Sequence, residues 1–94
     1  MVTIKIAEMD DQYLGQFYPD EMKIFISNKI RLDYPNGWRR VIISILAHEL
    51  THLYEWIFIC KCNSDTFFNM PDPERRAGKI ETIVLRLLGL QWED

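Results

Sequence analysis

A chain of 94 residues, 48% of them hydrophobic and 27% charged, has enough apolar material for one core and too little length for two. Its formal net charge of −3 offers no basic field to attract phosphates, which excludes nucleic acid as the main partner. Its two cysteines, Cys60 and Cys62, are too few for a disulfide framework, and Cys-x-Cys has the spacing of neither a redox motif nor a four-sulfur zinc site.

The N-terminal residues carry no basic head followed by a long apolar core, and no apolar run is long enough to span a bilayer. The expectation is a single domain over residues 1–94, soluble and cytoplasmic, with no membrane partner. Local basic clusters, Arg39 with Arg40 and Arg75, Arg76 with Lys79, fit the solvated sides of helices.

Val2 to Ala7 alternates, with Val2, Ile4 and Ile6 on one side and Thr3 and Lys5 on the other, which predicts a short half-buried strand. Pro19-Asp20-Glu21 marks a turn, and Glu21 to Ser27 reads as a second strand with Met22, Ile24 and Ile26 on one face. Together these predict a small antiparallel sheet. Tyr34-Pro35-Asn36-Gly37 is a further turn.

From Trp38 to about Ile59 no proline or glycine interrupts. Val41, Ile45, His48, His52 and Glu55 recur at spacings of three and four, beside a second stripe of Ile42, Leu46, Leu50 and Leu53. This predicts a central, largely buried helix. Cys60 to Met70 reads as a polar loop anchored by Phe67-Phe68. Asp72-Pro73 starts a last helix, with Asp72 suited to cap it, and Gly89 stops it after about Leu88. The fold class expected is α+β: a small antiparallel sheet packed on a central zinc-binding helix and a C-terminal helix.

The chain has only two histidines, and they stand four apart in His48-Glu49-Leu50-Thr51-His52. On a helix, residues four apart lie one turn above each other, so both imidazoles reach one metal at about 2.0–2.1 Å. Glu49 projects to the edge of that face. A Zn2+ ion there lowers the pKa of bound water to about 7, and Glu49 is placed to act as general base and then to protonate the leaving amine.

A catalytic zinc usually takes three protein ligands. The metzincin continuation is excluded, because Glu55 and Phe58 stand where glycine and histidine are required. Glu81, in the middle of the last helix, is the preferred third ligand, with Ala77 and Gly78 before it as small residues that permit close approach. Glu74 is the second candidate, although its place in the first helical turn is also explained by the helix dipole. Glu55 is too near in sequence and suits a supporting acceptor or a surface charge.

This arrangement resembles the gluzincin zincins. It is most similar to the short minigluzincins and the ImmA/IrrE-like phage metallopeptidases. The residues that carry the resemblance are Gly15-Gln16-Phe17-Tyr18, Lys23-Ile24-Phe25-Ile26, Ile45 to His52, and Ile80-Glu81-Thr82-Ile83-Val84. The resemblance implies a zinc-dependent peptidase with His48, His52 and Glu81 as ligands and Glu49 as base, acting on a peptide or protein substrate. It implies an edge strand, Met22 to Ser27, that pairs with extended peptide. A tyrosine oxyanion partner is implied too, with Tyr13, Tyr18 and Tyr54 available. The alternative reading is a latent or inactive zinc-stabilised protein-binding module, its cleft covered by Leu90 to Asp94.

Overall fold

The computed structural model describes residues 2–10 and 12–87. The expected helix end at Leu88 and Gly89 and the tail from Leu90 to Asp94 lie outside them. The chain forms strands β1 (Thr3–Ala7), β2 (Gly15–Tyr18) and β3 (Lys23–Ser27), with a 3-10 turn at Pro19–Glu21 between the last two. Helix α1 (Ile30–Asp33) then leads to the long α2 (Trp38–Tyr54), which runs on as a π-helical turn, Glu55–Ile59. A short α3 (Ser64–Phe68) and a longer α4 (Pro73–Leu87) complete the fold. The α+β class holds. Within the described residues no helix is long and apolar enough to cross a membrane.

The sheet departs from the expected antiparallel pair. Its order is β1-β3-β2, with β1 parallel and β2 antiparallel to β3. Gly15–Tyr18, which the alternation did not mark, is itself a strand and forms a hairpin with β3 across Pro19–Glu21. That hairpin occupies one side of β3, so β1 takes the other. The segment expected to be the exposed edge, Met22 to Ser27, is therefore central: Ile24 and Ile26 are buried, and both sides of β3 are paired. The free edge near α2 belongs to β2.

Burial follows the helix cover. Helix α2 packs on β2 and β3, and Phe17, Ile24, Ile26, Ile30, Val41 and Trp56 form the core beneath it. β1 lies at the far edge, so Ile4 and Ile6 are exposed rather than half-buried. Helix α2 is also less enclosed than its two stripes imply, since Leu50 and Tyr54 remain open on the side away from the sheet.

Helix α4 packs against α2. Its N-terminal Glu74 sits near His48 and His52, while Glu81 sits near Ser44, so the two helices run antiparallel. Ala77 is fully buried and provides the close approach expected of it. Gly78 does not share that role, because a methyl group there would meet nothing within 4 Å. Asp72 has left-handed backbone, φ 51°, where the extended conformation usual for an N-cap was expected.

Candidate metal centre

Both histidines lie on the last two turns of α2, on the side that faces α4 and β2. Their rings meet edge to face, with centroids 4.9 Å apart. One ligand atom from each of His48, Glu49 and His52 falls within 4.8 Å of the others.

The two candidate glutamates of α4 are separated by this geometry. Glu74 presents one oxygen to His48 Nε2 at 2.8 Å and the other to His52 Nε2 at 3.2 Å. Glu81 lies against the opposite side of the His48 ring, with Oε2 3.3 Å from Nδ1. Its Oε1 accepts the Ser44 hydroxyl. The expected third ligand, Glu81, thus stands behind a histidine, and the second candidate, Glu74, stands where the two Nε2 atoms converge. Glu55 takes the matching place behind the other histidine, with Oε1 3.8 Å from His52 Nδ1.

Glu55 is buried and its Oε2 accepts from Arg76 Nε. Its Oε1 is buried with no hydrogen-bond partner, and it faces the Nδ1 that a metal-ligating imidazole uses as donor. Glu55 and Trp56, the first residues of the π-helical turn, are both buried. Arg76 also donates to the Pro71 carbonyl, so one guanidinium joins that turn to the start of α4.

With the His48 ring proton on Nδ1, held by Glu81, and the His52 ring proton on the Nδ1 that faces Glu55, both Nε2 atoms carry lone pairs. They then face the Glu74 carboxylate, a cluster of electron-pair donors that a shared cation would hold together. Two imidazoles and a carboxylate are a donor set of catalytic zinc. Bonds of about 2.0–2.1 Å in a tetrahedral shell separate ligand atoms by roughly 3.3 Å, close to the 2.8 and 3.2 Å between Glu74 and the two histidines. The residues fit a zinc ion held by His48, His52 and Glu74.

The electrostatics agree with that donor set. Burial lowers the pKa of His52 below the ordinary imidazole range, with the nearby Glu74 opposing, and so favours the neutral form that binds metal. Glu49 is buried, and this raises its pKa to about 7; His48 opposes, Glu74 adds to the rise, and a backbone hydrogen bond from Phe17 opposes.

That bond also places β2. The Leu14 carbonyl accepts from the Ser27 amide at 2.9 Å, and hydrogen-bonded pairs alternate along an antiparallel ladder. Gln16 and Tyr18 therefore direct their backbone groups toward β3, while Gly15 and Phe17 direct theirs outward, toward the site. Gly15 is required at the crossing, since a methyl group there would stand 2.3 Å from Ile45 Cγ2.

Among the tyrosines, Tyr13 lines the cavities that contain Glu49, His52, His48 and Glu74. Tyr18 bonds Gln16 through its hydroxyl at 3.0 Å, and Tyr54 stacks on Phe58 beside the outer groove of α2 and α4. The cysteines are free, with Cys60 Sγ 2.9 Å from Met70 Sδ. Residues that sequence reasoning missed are Ser44, whose small hydroxyl gave no signal inside an apolar stripe, and Arg76, which resembled a surface charge. Comparison of the chain with protein-family models, with curated proteins and with solved structures gives no match.

Proposed function

We propose that the chain is a zinc-dependent metallopeptidase domain whose metal is held by His48, His52 and Glu74. The observation that carries this reading is the convergence of both Nε2 atoms on the Glu74 carboxylate, with Glu49 on the same side. Zinc bound there supplies Lewis acidity that activates water and polarises a carbonyl. Glu49 accepts the proton of the attacking water and passes it to the amine as the carbon–nitrogen bond breaks. Glu81 holds the His48 Nδ1 proton and orients that ring, and Glu55 stands behind Nδ1 of His52 at 3.8 Å. Tyr13 is the candidate partner for the developing oxyanion.

The substrate in this reading is extended peptide. It pairs with the outward backbone groups of Gly15 and Phe17 on β2, an interaction that gives affinity without strict sequence choice. The test is metal analysis of protein purified without a histidine tag, followed by peptide cleavage by the native chain and the Glu49→Gln variant. One zinc per chain in both, with cleavage only in the native chain, is expected. Absence of zinc under replete conditions, or undiminished cleavage by Glu49→Gln, rejects the assignment. Tyr13→Phe is expected to lower kcat roughly tenfold or more with KM little changed, since the lost interaction belongs to the transition state.

A further inference from the structure

The face that α2 and α4 turn away from the sheet is apolar and uncovered. Ile43, Leu46, Leu50 and Tyr54 of α2 and Ile80 and Val84 of α4 wall a groove of about 470 Å3 there. Steps of three or four residues make each wall one continuous helical stripe. The stripes run on past the groove. Phe58 stacks on Tyr54, with ring centroids 5.1 Å apart, and Ile83 and Leu87 follow Ile80 along α4. Tyr54, Phe58, Ile83 and Leu87 are 50–81% exposed, and an apolar patch of this extent marks an interaction surface.

The charges beside this face have one sign. Helices α2 and α4 contain three carboxylates, Glu49, Glu74 and Glu81, and all three are gathered around the two histidines. On α4, Arg75, Lys79 and Arg86 are exposed and stand at i, i+4 and i+11, which is one row along a helix. The same helical rotation sets that row beside Ile83, on the solvent rim of the groove. Arg39 is exposed at the start of α2. The α4 rim is therefore cationic, on a chain whose formal net charge is −3.

We infer that the groove seats an amphipathic helix of a protein partner, with its apolar stripe in the groove and acidic residues on the flank that meets Arg75, Lys79 and Arg86. Two helices wall the groove, and a third fills such a shape by ridge-into-groove packing; a bilayer surface reaches only the rim. A second copy of this chain brings the same cationic row to the same rim, where like charges disfavour it. From Ile43 to Tyr54 the α2 wall covers about 17 Å, so the partner supplies about three turns, with anchors spaced i, i+4 and i+7. Lys79 and Arg86 are two turns apart and answer acids two turns apart on its flank. The groove shares no lining residue with the metal centre, so its occupancy requires no zinc.

The test is fluorescence anisotropy of the full chain, zinc-loaded and metal-free, with labelled helical peptides of about eighteen residues. One carries a leucine stripe flanked by glutamates; the other has lysine for every glutamate. The glutamate peptide is expected to bind roughly tenfold tighter or more than the lysine peptide, with or without zinc. Lys79→Glu combined with Arg86→Glu should reverse that order, and both side chains are exposed, so the fold is kept. Ile80→Ser should weaken the glutamate peptide roughly tenfold. No binding of either peptide, equal binding of the two, or an order that charge reversal leaves unchanged overturns the inference. Three other results overturn it by giving the groove another occupant. They are a concentration-dependent dimer in sedimentation that Ile80→Ser abolishes, tighter binding to vesicles of anionic phospholipid than to the glutamate peptide, and peptide binding only after removal of residues 88–94.

Discussion

Glu74 and Glu81 are seven residues apart, two helical turns, and share one face of α4. Their environments nonetheless differ. Glu74 has a side chain 75% exposed and touches both Nε2 atoms, whereas Glu81 is largely enclosed between Ser44 and His48 Nδ1. Glu74→Ala is expected to lower zinc affinity by more than a hundred-fold and to change the metal-free protein's melting temperature less than Glu81→Ala does, because an exposed carboxylate contributes little to packing. Glu81→Ala should lower zinc affinity by roughly 10–100-fold, as loss of a partner behind a ligating histidine does. It should also destabilise the metal-free protein by leaving Ser44 and His48 without their acceptor. Competition with a chelator of known affinity, alongside thermal melts with and without zinc, separates the two. The reverse order of affinities would return Glu81 to the ligand set.

At the scale of elements, the site depends on β2 passing close over α2. Gly15 makes that approach possible, and Gly15→Ala places a methyl group against Ile45. A cost of roughly 1–3 kcal/mol is expected from such overpacking, read by denaturant unfolding. A larger fractional loss of peptide binding should accompany it, since the displaced strand carries Phe17 away from Glu49. The second contact between elements is Arg76 with Glu55, which fastens the start of α4 to the π-helical turn. Arg76→Ala strands a buried carboxylate. With the arginine itself a third exposed, the loss is expected near the low end for a broken buried pair, roughly 2–3 kcal/mol. Denaturant unfolding that shows no change would mean that Glu55 finds another partner.

Across the whole molecule the proposed metal centre joins two helices and the sheet edge, so zinc bound there would couple to folding. Free zinc at a hundred times its dissociation constant adds about 2.7 kcal/mol. For a domain of this size that corresponds to a rise in Tm of roughly 10–20 °C. Calorimetry before and after chelation tests it, and coincident transitions would refute the coupling.

The sequence by itself determined the parts of this protein set by local spacing. The 3.6-residue period placed His48 and His52 on one face of a helix, with Glu49 beside them, and the run from Trp38 without proline or glycine predicted that helix nearly to its end. Pro73 marked the start of α4. Alternation located β1 and β3, and the combination of short strands with two helices gave the α+β class.

Tertiary structure alone decided what depends on where those elements meet. Periodicity says which residues share a face but not which way a helix runs past its neighbour, so Glu74 and Glu81 were separable only after α4 was found antiparallel to α2. Alternation gives a strand but not its partners. The short Gly15–Tyr18 segment became the edge strand because it forms a hairpin with β3, and that pairing moved β3 to the centre and left Ile4 and Ile6 outside the core. The histidines and Glu49 needed only the geometry of one helix. The carboxylates around them come from distant segments whose meeting is fixed by packing.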